Sequence, residues 1–241
     1  MSGTLYAVGV GPGDPELLTL KAVRVLRSAD VVACPAKGGA PGVAYRIAAE
    51  ALPEIAGKEL LPLSFPMTGK NCSRAHAEAA NRVMAELREG RSIAFLTLGD
   101  PGFYSTFFYL CKTVAESGFA VEIVSGIPSF CAASARLLTP IALGDEQVLI
   151  TTEPQMDFPG TIIVMKVGRR LSSIKEKVAS AGRTAHLVEN CGMENERVYS
   201  GVGAMPEEAG YFSLMIIEPQ ADAEGLERVV HAAGADFRVR G

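Results

Sequence analysis

The sequence predicts an α/β protein of two lobes, the first on a mainly parallel sheet and the second on a mixed sheet, both with flanking helices. Three observations carry this. In the first half, short apolar runs alternate regularly with stretches of helical periodicity, the pattern of a parallel sheet covered on both faces. In the second half, many strand-like segments are accompanied by few helical ones, which suits a mixed sheet. Several apolar runs end in glycine-rich turns, where open α/β sheets bind ligands. The lobes are expected at 1–120 and 121–241, with the boundary in the stretch 118–126.

Taken in order, residues 5–10 read as a buried strand. Asp14 can then cap free helical N–H groups, Pro15 suits the first helical position, and Glu16 favours the positive helix end. Leu18, Ala22, Val25 and Ala29 recur along one face of the helix that follows. Residues 30–34 form a second strand, 38–42 a loop and 43–52 a helix. Residues 60–65 are extended but interrupted by Pro62, which suits a sheet edge or a loop better than a central strand. A helix at 74–88 leads to a strand at 92–98, a helix at 107–117, a strand at 119–125 and a helix that the turn at 126–129 starts and that runs to about 138. The second half offers strands at 147–151, 161–166, 184–188, 197–200 and 212–217, helices at 171–180 and 225–233, and a tail at 236–241.

A chain of 241 residues, 48% hydrophobic and 21% charged, is long enough for a large core. Its net charge of −4 lacks the basic footprint of a nucleic-acid binder. An anionic ligand would need a local basic patch. Cys34, Cys72, Cys111, Cys131 and Cys191 are odd in number and contain no C-x-x-C pair, so a reducing cytoplasm is expected rather than a disulfide framework. Residues 1–4 run straight into a strand, and no signal peptide is expected. The apolar runs fall short of the ~20 residues a membrane helix needs.

Three turns stand out chemically. Gly9-x-Gly11-x-Gly13 lets a backbone turn tightly and approach a ligand. It departs from G-x-G-x-x-G, and Pro12 and Pro15 remove N–H donors that a pyrophosphate would use. A tight turn without ligand, a dinucleotide site and another small-molecule site all remain open. In Gly99-Asp100-Pro101-Gly102, Asp100 either accepts from a ligand hydroxyl or amine, or caps the next helix. Phe103 and Tyr104 either wall a pocket or join the core, and Ser105 and Thr106 can cap the helix. In Gly126-Ile127-Pro128-Ser129-Phe130, Ser129 is a ligand donor or a cap. Met165 ends a buried strand, and Lys166 follows where an anion could be met, with Arg169 and Arg170 a turn later. The alternative is a solvated basic surface. His76, His186 and His231 lack ligand partners at metal spacing, so no metal is expected. Neither a nucleophile elbow nor a triad is visible.

The turns, in this order and spacing, resemble the tetrapyrrole methylase family, S-adenosylmethionine-dependent enzymes of two α/β lobes. Val8 through Ala22 is similar to its first signature, Leu98-Gly99-Asp100-Pro101 to its second, and Gly126 through Phe130 with Met165 to later positions. Leu63-x-Phe65-Pro66-Met67-Thr68, Leu96 through Phe107, Arg136-Leu137 and Gly144-Asp145-Glu146 resemble the branch that methylates C20 of precorrin-2 or cobalt-factor II. Ser125 is a departure, standing where the family usually has proline.

This resemblance implies cofactor and substrate between the lobes. It implies cofactor contacts at Gly99, Asp100, Phe103, Ser129, Phe130, Met165, Phe212, Ser213 and Leu214. Gly11, Pro12, Gly13, Asp14 and Tyr104 would line the tetrapyrrole trough. Lys37, Lys70, Arg74 and Lys166 would meet the substrate carboxylates. The catalytic base is not named by the sequence; Asp14, Asp100 and Tyr104 are its candidates. A homodimer is also implied. Alternatives are methylation at another ring carbon, a nicotinamide-dependent oxidoreductase, and a tetrapyrrole carrier without turnover.

Overall fold

The structure is a computed structural model that describes residues 2–37, 39–66 and 72–220, the side chain of Lys37 excepted. Met67, Thr68, Lys70, His231, the helix expected at 225–233 and the tail at 236–241 lie outside the described residues. The chain divides into two compact units, Met1–Pro128 and Ser129–Gly241.

The first unit begins with β1 (Thr4–Gly9). Asp14 then caps a single 3-10 turn, Pro15–Leu17, accepting from Glu16 N at 2.9 Å. Leu18 is extended, with ψ at 133°, so the helical path breaks there. The helix α1 (Leu20–Ser28) starts afresh on Thr19, whose hydroxyl accepts from Ala22 N. This corrects the reading of Asp14 as the start of one long helix.

The chain continues through β2 (Val31–Lys37), the two-residue β3 (Ala40–Pro41), α2 (Val43–Ala51), β4 (Glu59–Leu63) and α3 (Cys72–Arg88). It closes with β5 (Ile93–Thr97), α4 (Phe108–Glu116) and β6 (Ala120–Val124). The parallel strands lie in the order β4-β2-β5-β1-β6, with β3 antiparallel beside the end of β2. Pro62 sits on the edge strand, where a missing N–H costs no ladder bond. Strand β6 pairs with β1 and belongs to the first unit.

Both faces of the sheet are buried, and the two-residue period assigns them. Leu5, Ala7, Val31, Ala33, Ile93 and Phe95 pack against α3 and α4. Val8, Val32, Cys34, Ala94 and Leu96 pack against α1 and α2. Neighbouring strands β1 and β5 thus send their helices to opposite faces. The crevice at their carboxyl ends is the switch point of the sheet.

The second unit holds α5 (Ser129–Leu137), β7 (Val148–Thr151), β8 (Thr161–Met165), α6 (Leu171–Ser180), β9 (Ala185–Glu189), β10 (Arg197–Ser200) and β11 (Ser213–Ile217). Its sheet is mixed, in the order β10-β9-β11-β8-β7, with only β7 and β8 parallel. Ile162, Val164, Leu187 and Met215 bury one face against Leu171, Ile174 and Val178 of α6. Helix α5 packs on β11.

Candidate active site

Three turns meet at the carboxyl ends of β5, β1 and β6. Val10 N donates to Thr97 O, and Gly11 and Gly99 exchange backbone hydrogen bonds, at 3.2 Å to Gly99 O and 2.7 Å to Gly11 O. Both glycines have φ above 70°, a left-handed conformation that costs glycine little. Gly9, Gly99 and Gly126 pack backbone on backbone. A Cβ on Gly126 would stand 2.2 Å from Gly99 O, and one on Gly9 2.6 Å from Gly126 N. Side chains are excluded here, so the three turns lie main chain against main chain.

Asp100 lies at the centre of this junction. Its Oδ1 accepts from Gly102 N at 2.7 Å and its Oδ2 from Gly126 N at 2.9 Å. Ser125 O accepts from the Thr19 hydroxyl at 3.3 Å. The loop after β6 is therefore pinned by α1 at Ser125 and by Asp100 at Gly126. Beyond Asp100, Phe103 and Tyr104 are 38% and 46% exposed, so neither is core. Tyr104 has φ at 52°, uncommon for a residue with a Cβ. Ser105 Oγ accepts from Phe107 N and lies 3.3 Å from Thr97 Oγ1, but it bonds the residue before α4, and the helix has no side-chain cap. Gly11, Pro12 and Gly13 are buried, and Asp14 is occupied as a cap.

In the second unit, the ends of β8 and β9 and the start of β11 share one edge. Met165 of β8 lies opposite Leu214. Lys166 and Asn190, the residues that follow β8 and β9, both have positive φ. Asn190 N donates to Phe212 O, and Ser213 Oγ accepts from Gly168 N and donates to Gly210 O. Arg170 is half-buried, its guanidinium donating to Thr152 O and Lys166 O and pairing with Glu153. Phe130 is buried in the first turn of α5, beside half-buried Ser129. Met165, Phe212, Ser213 and Leu214 are thus brought together.

A family model for tetrapyrrole (corrin/porphyrin) methylases matches residues 4–205. The chain belongs to the tetrapyrrole methylase family. A probable cobalt-precorrin-2 C(20)-methyltransferase of Methanocaldococcus jannaschii is 38% identical over 206 residues, 82% of this chain and 86% of that protein. A precorrin-2 C(20)-methyltransferase of a Sinorhizobium species is 34% identical, covering 89% of this chain and 95% of its own. Among solved structures, the uroporphyrin-III C-methyl transferase of Thermus thermophilus, complexed with S-adenyl homocysteine, superposes with a TM-score of 0.66 at 23% identity. It covers 90% of this chain and 97% of its own. The two-sheet α/β fold with flanking helices is the fold of these enzymes.

Within this tetrapyrrole methylase the expected basic residues belong to different elements. Lys37 ends β2, Arg74 lies on α3 paired to Glu78 at 2.8 Å, and Lys166 belongs to the second unit. Burial pushes the Cys34, Cys111 and Cys131 thiols up, away from reactive thiolate. Among the described residues no group of three His, Cys, Asp or Glu could hold a metal. No described helix is long and apolar enough to cross a membrane. The sequence reading missed the Asp100–Gly126 and Thr19–Ser125 contacts. Their partners are distant in the chain, and no local pattern signals them.

Proposed function

We propose that this chain is an S-adenosylmethionine-dependent C-methyltransferase that methylates C20 of precorrin-2 or cobalt-factor II in corrin biosynthesis. The observation that carries the reading is the relationship over most of the chain to C20-methyltransferases. The close packing of the Gly9, Gly99 and Gly126 turns at the carboxyl ends of the strands supports it.

The junction fits the cofactor. S-adenosylmethionine has no phosphate, so the donors absent at Pro12 and Pro15 are not needed. Gly99, Asp100 and Phe103 in the first unit, and Ser129, Phe130, Met165, Phe212, Ser213 and Leu214 in the second, are the residues assigned to hold it. When bound, it supplies an activated methyl group on a sulfonium. Gly11, Pro12, Gly13, Asp14 and Tyr104 line the substrate side, and Lys37, Lys70, Arg74 and Lys166 meet its carboxylates.

Methyl transfer disperses charge, so a dry, rigid site that holds the reacting carbon in line supplies much of the rate. Of the candidate bases for the bridge proton, Asp14 and Asp100 already accept from backbone amides. Tyr104 is the exposed one. We assign the enzyme to the cytoplasm and to a homodimer.

The deciding experiment incubates the protein with methyl-labelled S-adenosylmethionine and either precorrin-2 or cobalt-factor II, then reads the product by carbon NMR. Label at C20 is expected. Label at another carbon overturns the assignment.

A further inference from the structure

We infer that Asp100 is a positioning residue, a latch that locks the turn after β5 to the loop after β6, and that the cofactor meets the backbone it holds rather than its carboxylate. The inference rests on the methyltransferase reading above and reassigns one residue within it.

Three observations converge. The carboxylate spends one oxygen on each loop, Oδ1 on Gly102 N and Oδ2 on Gly126 N. The second bond joins turns that follow different strands, and Gly126 is packed so tightly on Gly9 and Gly99 that no Cβ fits. The same loop is tied from the other side by Thr19. Ser125 has no ring to stiffen its backbone, so the loop depends on these two ties. A charged acceptor holding two amides is a strong, directional clamp. The left-handed turn at Gly99 and the positive φ of Tyr104 both lie in the segment that this clamp fixes.

The test compares the protein with its Asp100→Asn variant. The amide that replaces one oxygen faces a backbone N–H and cannot accept from it. In the ligand-free protein, amide hydrogen exchange at Gly102 and Gly126 is expected to be slow. In the variant it should be at least tenfold faster at Gly126, with protection of β1 and β5 unchanged. Exchange at Gly126 at the unprotected rate in the unaltered protein overturns the latch, and this arm needs no variant to fold.

The second arm measures the affinity of S-adenosylhomocysteine and of its 2′-deoxy and 3′-deoxy analogues for both proteins. A latch predicts that each missing hydroxyl weakens binding by the same factor in variant and parent, since the two losses are independent. It also predicts that Asp100→Asn weakens all three ligands alike, by tenfold or more. A hydroxyl whose removal matters in the parent but not in the variant shows direct contact and overturns the inference. If the parent binds none of the three, the methyltransferase reading fails, while the exchange arm still reports on the latch.

Discussion

At the scale of single residues, the junction separates glycines that serve geometry from those that serve space. Gly118 has positive φ but open surroundings, whereas Gly126 is crowded by Gly99 O and Gly9. Gly126→Ala is therefore expected to destabilise by about 2 kcal/mol through overpacking and to weaken cofactor binding. Gly118→Ala should cost about 1 kcal/mol and leave binding unchanged. Denaturant unfolding and calorimetry check both. Asp30 offers a pH test. Ser92 donates its N–H at 2.8 Å and its hydroxyl at 2.7 Å to Asp30 Oδ2, and these bonds hold the carboxyl below its ordinary value. A lowered carboxyl contributes stability above its unfolded value and loses it as pH falls. Asp30→Asn should cost at most about 1 kcal/mol at neutral pH, because the site is exposed to solvent. The difference from the parent should vanish as pH drops through the carboxylate range.

At the scale of elements, the strands and helices were legible because their apolar periods are clean. Leu5, Ala7 and Val8 divide between two cores as a two-residue period requires, and Pro62 sits on an edge strand. The misreadings have local causes. Asp14, Pro15 and Glu16 carry every sign of a helix start, yet they close a 3-10 turn because Leu18 goes extended and Thr19 caps anew. The candidate site was legible as turns but not as a junction, since nothing near Asp100 in the sequence points to Gly126. Arg183 shows the same limit in the second unit. It is 7% exposed, and its guanidinium donates to the carbonyls of Phe158, Gly160 and Glu218. Arg183→Met should destabilise by about 3 kcal/mol, since buried carbonyls lose their donor. Its thermal midpoint should fall with affinity for S-adenosylhomocysteine kept, because these carbonyls lie at the end of β11 away from Ser213 and Leu214.

For the whole molecule, the family and its cofactor make a mass-action prediction. S-adenosylhomocysteine at a hundred times its dissociation constant should raise the unfolding free energy by about 2.7 kcal/mol, with a thermal midpoint higher by roughly 5–10 °C. NADP should leave it unmoved, because Gly9-x-Gly11-x-Gly13 meets Gly99 and Gly126 rather than a pyrophosphate. Stabilisation by NADP alone would favour the oxidoreductase alternative.

The backbone contact of Gly9, Gly99 and Gly126 also has a kinetic meaning. It joins the first strand to segments far along the chain, and such long-range closure is slow and late in folding. A nascent chain would present β1 and its glycine turn well before the partner turns exist. A ligand that reads this junction has nothing to hold until the sheet is nearly complete. S-adenosylhomocysteine should therefore slow the unfolding limb of the chevron and leave the refolding limb where it is.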